Sequence, residues 1–160
     1  MEFDSKWKPS DMTYRVIEAT EDHRDWIINH ASVRMLEDEL KRPDLVNKER
    51  LSFLVDKVLE ENTMFVAVDN DGLPVGALAY LQVDNLYNPC VKTLAELFWY
   101  VDVEVRKTRV GLLLLKAFKE VSEKEGKEAM MSLLPSSNVN FKSLERLGFS
   151  LCEYGFRLGE

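Results

Sequence analysis

Cysteine is scarce in this chain of 160 residues. Its two cysteines, Cys90 and Cys152, lie far apart, and neither stands in a metal-ligand spacing. Small secreted domains that depend on disulfides carry many more cysteines in a regular framework. The sequence therefore predicts reduced thiols in a cytoplasmic protein, and it predicts no metal site.

Long apolar segments are also missing. No stretch approaches the roughly 18 consecutive apolar residues of a membrane span, so no association with a membrane is expected. The first ten residues are charged and lack the apolar core of a signal peptide. We expect residues 1–11 to be a flexible N-terminal extension of one domain that spans residues 1–160, because this length suits a single domain.

Positive charge is in deficit. Lysine and arginine number 21 against 28 aspartates and glutamates, which gives a net charge of -7. Such a surface repels phosphate backbones, so a nucleic-acid partner is not expected. It attracts small cations such as amines instead. The 46% hydrophobic content is that of a globular protein.

The hydrophobic pattern changes period several times along the chain. Alternating or short apolar runs predict strands at residues 12–19, 64–68, 74–81, 93–103, 127–134 and 149–158. Helical periods and caps predict helices at residues 20–30, continuing to 42, and at 48–61, 110–125 and 138–146. The order β-α-α-β-β-β-α-β-α-β predicts an α/β (α+β) fold with a mixed, mostly antiparallel central sheet flanked by helices.

A cationic loop joins the strand at 93–103 to the helix at 110–125. Arg106, Lys107 and Arg109 place three positive charges there, in a chain that is negative overall. Free backbone N–H groups and the dipole at a helix start form a ready site for phosphate groups. The loop thus predicts a phosphorylated ligand; alternatively, its charges are only solvated loop residues.

Two motifs at this point resemble the GNAT acetyltransferase superfamily. Its loop commonly reads Q/R-x-x-G-x-G/A, and here the frame runs from Arg106 to Gly111 with Arg109 at the central glycine. A second family feature, a short helix with a YEKLGF-like ending, is similar to residues 144–149. The order of elements matches from 12 to 158. The resemblance implies that acetyl-CoA, the co-substrate, is bound by Val101, Val103, Arg106, Lys107, Thr108, Arg109, Val110, Gly111 and Asn138.

Three departures from the family pattern affect this expectation. If position 109 needs a left-handed backbone, arginine costs on the order of 1 kcal/mol there, although its guanidinium could pair with a phosphate oxygen. The tyrosine that commonly protonates the coenzyme A thiolate is replaced by Leu144. The strand at 149–158 is followed by no further strand, so a partner subunit could cover the open edge in a homodimer.

Acetyl transfer needs a proton acceptor for the amine and a polarised carbonyl oxygen. By the resemblance, a backbone amide around Val101–Val103 polarises the carbonyl, and Glu96 is the base; alternatively, Glu96 is an edge charge paired with a lysine. Burial in the apolar strand is expected to raise the pKa of Glu96. Tyr154 and Tyr100 are substitute acids, unless they serve only in packing.

The acceptor is expected to be a small-molecule or peptide amine. Segment 31–48, where the resemblance places the acceptor cleft, carries Glu37, Asp38, Glu39 and Asp44. Its acidity favours a cationic acceptor, although acidic helices are commonly just solvated. His23 and His30 are expected to be surface residues. The alternative to an acyl-CoA N-acyltransferase is a catalytically silent GNAT-fold module that binds coenzyme A or a protein.

Overall fold

The computed structural model describes residues 13–134 and 137–159, in which a five-stranded sheet lies between helices. The strands are β1 Arg15–Glu18, β2 Met64–Val68, β3 Pro74–Asp84, β4 Lys92–Val101 and β5 Glu128–Met130. The helices are α1 Lys48–Glu60, α2 Val110–Glu125 and α3 Phe141–Arg146. Gly126 ends α2 with a left-handed backbone (φ 63°), as its position after the helix predicts.

Between β1 and α1 the chain forms a helical arm, residues 21–39, that alternates between helix types. Two of its turns, Ile27–Ala31 and Met35–Glu39, are π-helical. Such turns are rare and frequently mark functional sites. The arm ends at Glu39, before the predicted end at Arg42, because Lys41 has a left-handed backbone (φ 55°), and a 3-10 turn, Pro43–Leu45, follows.

The sheet pairs its strands in chain order. β1 to β4 are antiparallel neighbours, and β5 joins β4 in parallel. The predicted mixed, mostly antiparallel sheet is confirmed. Ala79 pairs with Phe98 but Tyr80 pairs with Glu96, so Leu97 is the extra residue of a bulge in β4.

Apolar side chains fill both faces of the sheet. The arm and α1 cover one face, and α2 and α3 cover the other. Gly76 on β3 lets α2 approach closely, because a Cβ there would lie 3.0 Å from the carbonyl oxygen of Tyr100 and 3.1 Å from Cγ1 of Val110. The largest fully buried side chains are Phe118, Ile27, Met64, Leu78, Leu94, Leu114, Leu115, Val58, Val66, Val68 and Val110.

Three predicted elements need correction. The strand predicted at 149–158 is wrong, because this segment pairs with no described strand and only Phe149 packs against the core, whereas its later apolar side chains are exposed. The strand predicted at 127–134 pairs only over Glu128–Met130. The last helix begins at Phe141, since the side chain of Asn140 accepts the N–H of Lys142 (2.9 Å) as the N-cap, and Asn138 therefore precedes the helix.

The predictions for residues 1–11 and for Met12 lie outside the described residues. In the part of the chain that the structure describes, no helix is long and apolar enough to cross a membrane.

Candidate active site

The sheet has an open edge where the pairing of β4 with β5 ends. Their parallel pairing stops at Ala95 and Met130, while β4 continues to Val101. Beyond Ala95, this edge of β4 has no partner strand among the described residues. Its alternate backbone N–H and C=O groups are therefore available to a ligand. The open edge leads directly into the cationic loop.

Glu96 lies at the start of this open edge. Its Oε2 accepts a long hydrogen bond from the backbone N–H of Ser132 (3.4 Å). Burial raises the pKa of the Glu96 carboxyl, and the Ser132 contact offsets part of that rise. No lysine or arginine among the described residues forms an ion pair with Glu96. The geometry therefore favours a proton-accepting carboxylate over a paired surface charge.

The position of Glu96 bears on which backbone amide can act with it. Val101 lies five residues further along the strand, roughly 17 Å away at about 3.3 Å per residue, and Val103 lies beyond it. Glu96 and the amides of Val101–Val103 cannot both reach one acetyl group over that distance. The amides beside the bulge, at 97–99, lie within roughly 10 Å of Glu96 and are better placed.

The loop residues 102–109 enter α2 through a tight turn. Val103–Val105 form a 3-10 turn, and the hydroxyl of Thr108 accepts the N–H of Val110 (3.3 Å) while donating to the carbonyl of Val105 (2.6 Å). The first helical hydrogen bond of α2 runs from the N–H of Leu113 to the carbonyl of Arg109 (2.9 Å). The N–H groups of Gly111 and Leu112 therefore have no acceptor within the helix, as at any helix start.

Arg109 adopts a right-handed backbone, with φ -78° and ψ -3°. Position 109 does not need a left-handed backbone, so the conditional cost for arginine at the usual glycine position does not arise. Arg109 and Lys107 are both exposed. Neither forms an ion pair with another described residue. Both cations are thus available to an anionic ligand at the start of α2.

Gly111 and Trp99 bring α2 against the open strand. A Cβ on Gly111 would lie 3.2 Å from Cζ2 of Trp99, closer than a side chain normally packs. The indole Nε1 of Trp99 is buried without a hydrogen-bond partner among the described residues. The contact therefore holds the first turn of α2 close to the open edge of β4.

Arg106 differs from the other loop cations because its guanidinium is already engaged. Its Nε donates to the carbonyl of Val101 (2.8 Å), and its Nη2 donates to the carboxylate of Glu39. Its Cζ lies 5.8 Å from the ring centroid of Tyr100. Arg106 therefore ties the loop to β4 and to the helical arm.

A second polar cluster lies where β4 meets the loop. Nε2 of His30 lies 2.7 Å from Oδ1 of Asp102, and Tyr100 donates to the same oxygen (3.0 Å). Trp26 stacks on His30 with ring centroids 5.5 Å apart. The sequence did not indicate this pair, because 72 residues separate its members. His23, in contrast, accepts the N–H of Thr20 (3.0 Å) and caps the arm.

Not every predicted site residue lies at the open edge of β4 or in the loop. Tyr154 is 77% exposed, in the segment that forms no strand, and no hydrogen bond joins it to another described residue. Burial and the bond to Asp102 raise the pKa of Tyr100, which makes it a weak acid. Leu144 is buried in the core under α2. Asn138 is exposed ahead of α3.

The acidic residues of the expected acceptor segment have different surroundings. Asp38 bonds to Arg34 (3.1 Å), and an arginine hydrogen bond holds the pKa of Asp44 below its usual range. Glu37 is exposed. Glu39 alone faces the loop; burial raises its pKa, and the charge of Arg106 opposes that rise. A groove of about 470 Å³ between β1 and α2 contains none of these groups.

The family model described as the acetyltransferase (GNAT) family matches residues 17–149. No curated protein sequence matches the chain. Among solved structures, a possible acetyltransferase from Clostridium difficile 630 is 19% identical, with 92% of this chain and 97% of that chain covered and a TM-score of 0.69. At these identities the likeness concerns the fold.

Two further neighbours have names that specify a ligand or substrate. AAC(6')-Iy in complex with the bisubstrate analogue CoA-S-monomethyl-acetylneamine is 14% identical, covering 92% of this chain and 98% of its own, with a TM-score of 0.70. Glucosamine-6-phosphate N-acetyltransferase from Arabidopsis thaliana is also 14% identical, with the same coverage and a TM-score of 0.67.

Proposed function

The chain belongs to the GNAT family of acetyltransferases, and we propose that it moves an acetyl group from acetyl-CoA to an amine acceptor. One observation carries this proposal. A half-buried carboxylate, Glu96, lies at the open edge of β4, and the same strand leads into a cationic loop at the start of α2. The site thus combines a proton acceptor with an anion-binding helix start.

The loop would hold the phosphate groups of acetyl-CoA. Lys107 and Arg109 supply unpaired positive charge, and Gly111 supplies a free N–H in the first turn of α2. Arg106 and Thr108 hold the loop in shape, since their polar groups bond within the protein. Four uncharged residues complete the predicted acetyl-CoA-binding set. They would be neighbours of the bound ligand rather than charged contacts: Val101, Val103, Val110 and Asn138.

When bound, acetyl-CoA supplies an acetyl group activated as a thioester. Ionised Glu96 accepts a proton from the acceptor nitrogen as the new N–C bond forms and the C–S bond breaks. N–H groups at the open edge near Leu97 stabilise the carbonyl oxygen as it gains charge. The raised pKa of Glu96 brings its basicity closer to neutrality, where a general base is most useful.

The proton of the departing thiol has two candidate sources, Tyr154 and water. The hydroxyl of Tyr154 is exposed and bonds to no described residue, so the segment 149–159 would have to bring it to the sulfur. A thiolate is also a good enough leaving group to depart without prior protonation. It then takes its proton from water. The variant Tyr154→Phe separates the two: lost turnover supports Tyr154, and unchanged turnover supports water.

The acceptor is proposed to be a small cationic amine. The chain carries a net charge of -7, and Glu37 is an exposed carboxylate of the arm. Neighbouring structures include a complex with the bisubstrate analogue CoA-S-monomethyl-acetylneamine and an enzyme named for glucosamine-6-phosphate. Aminoglycosides, polyamines and peptide N-termini therefore form the first acceptor panel.

The second candidate is a silent module that binds coenzyme A without turnover. It is favoured by Leu144, which is buried where the family commonly places a tyrosine acid. Native mass spectrometry of the purified protein, followed by a thiol-release assay against the acceptor panel, distinguishes the two. Bound coenzyme A with thiol release supports the transferase, bound coenzyme A with no release supports the module, and failure to bind any coenzyme A contradicts both.

A further inference from the structure

The cationic loop, residues 102–109, is joined to the helical arm at two points. At the first, Nη2 of Arg106 donates to Oε1 of Glu39, while Nε of the same guanidinium donates to the carbonyl of Val101 (2.8 Å). At the second, His30 on the arm contacts Asp102, the residue between β4 and the loop (2.7 Å). Each end of the loop's first turn is therefore bound to the arm.

The two arm residues share an unusual backbone. His30 lies in the π-helical turn Ile27–Ala31, and Glu39 ends the π-helical turn Met35–Glu39. Hydrogen bonds from the N–H of Leu40 to the carbonyl of Met35 (2.9 Å) and from Arg42 to Leu36 (2.8 Å) fix the end of the arm. Such π-helical turns are rare, and both contact residues lie in one. We therefore infer that the two contacts constrain the backbone of the arm.

The link between Glu39 and Arg106 is only partly solvated. The side chain of Glu39 is 25% exposed and that of Arg106 is 40% exposed. Arg106 also lies over the ring of Tyr100, which itself bonds to Asp102. A guanidinium held by a carboxylate, a carbonyl and an aromatic ring has one favoured orientation. Lys107 and Arg109, by contrast, have no such partner in the described part of the chain.

We propose that Glu39, acting through Arg106, is a positioning residue that couples the acceptor-side arm to the acetyl-CoA loop. The inference rests on the proposed binding of acetyl-CoA by this loop. Glu39 touches no phosphate itself; it holds Arg106, and Arg106 holds the backbone that presents the N–H groups of α2. If the arm moves when the acceptor binds, the affinity for acetyl-CoA changes with it, and the reverse coupling has the same size.

The proposal predicts the sign of a mutation. If Glu39 holds the loop in its binding shape, Glu39→Ala weakens acetyl-CoA binding although it removes a negative charge near the phosphates. If Glu39 instead competes with phosphate for Arg106, the same change strengthens binding. Glu39→Gln keeps an oxygen that accepts from the guanidinium and is expected to restore most of the affinity.

The test measures the order of the loop in the free protein and the affinity of the protein for acetyl-CoA. Trypsin cleavage after Lys107 and Arg109 in the free protein reports loop order, and calorimetry reports acetyl-CoA affinity. Glu39→Ala should raise the cleavage rate and the Kd by about fivefold, the upper range for a partly exposed pair. Asp38→Ala is the matched control, because Asp38 is the neighbouring carboxylate and bonds to Arg34 rather than to the loop.

Steady-state kinetics adds a readout that general destabilisation does not mimic. Glu39→Ala should raise KM for acetyl-CoA while kcat and the melting temperature stay near those of Asp38→Ala. Cleavage rates and Kd equal to wild type, or tighter binding by Glu39→Ala, would overturn the proposal. A wild-type protein that binds no acetyl-CoA contradicts the proposed function, whereas normal wild-type binding with unaffected variants contradicts only the coupling.

Discussion

Arg109 offers the sharpest test of how the loop binds phosphate. Its backbone is right-handed (φ -78°), so replacing it by glycine relieves no strain. Its exposed guanidinium is unpaired within the described residues, which leaves phosphate contact as the effect of the side chain. Loss of one charge-assisted hydrogen bond corresponds to roughly 1.5–3 kcal/mol. Arg109→Ala should therefore raise the Kd for acetyl-CoA by roughly 10- to 150-fold.

Arg109→Gly should weaken acetyl-CoA binding at least as much as Arg109→Ala. It loses the same contact, and because the backbone of this N-cap residue is right-handed, glycine relieves no strain in return. Calorimetry at low and high salt measures both variants, with Arg50→Ala on α1 as a control for the loss of one exposed cation. Unchanged binding by Arg109→Ala, or tighter binding by Arg109→Gly, would refute the phosphate contact.

The packing and surface predictions follow from single contacts. Gly111→Ala should destabilise the fold by about 1–3 kcal/mol in urea unfolding, because its Cβ would lie 3.2 Å from Trp99, and a smaller loss would show that Trp99 yields. Gly111→Glu should abolish acetyl-CoA binding in calorimetry, since it adds both bulk and negative charge at the helix start. Leu144→Ala should cost about 2–5 kcal/mol in the same unfolding assay if Leu144 is a core residue, and far less if it is not. Light scattering should show a concentration-dependent dimer, because the apolar side chains of 151–158 are exposed, and a monomer at high concentration contradicts this.

Local pattern predicted the elements whose signals lie within them. The bounds of α2 match the prediction at both ends, because a hydrophobic stripe and a terminal glycine lie in the same stretch. The segment 149–158 failed, since alternating apolar residues satisfy a strand pattern without providing a partner strand. A strand depends on hydrogen bonds to a neighbour, and the sequence of one segment does not report that neighbour.

The candidate site was predicted only in part, because local sequence pattern does not report contacts between distant residues. Glu96 stood out as an acidic residue in an apolar run, and the loop stood out by charge. The contacts of His30 and Glu39 with the loop could not be read, because they depend on the path of the arm over the sheet and join residues 72 and 67 positions apart. The charge of Arg106 suggested a phosphate contact from the sequence. In the structure its guanidinium bonds to Glu39 and Val101 instead.

Proton acceptance by Glu96 is the central claim, and a pH–rate profile of thiol release tests it most directly. Glu96 acts ionised and burial raises its pKa, so the wild-type rate should rise as pH increases through that raised pKa. Glu96→Gln keeps the shape but cannot accept the proton. It should lower kcat by roughly a hundredfold at neutral pH, without changing the Kd for acetyl-CoA.

Glu128→Gln is the matched control, because Glu128 is an exposed glutamate on the facing strand β5. Its profile should coincide with that of the wild type. A Glu96→Gln enzyme that releases thiol at the wild-type rate, with the wild-type dependence on pH, would contradict the account.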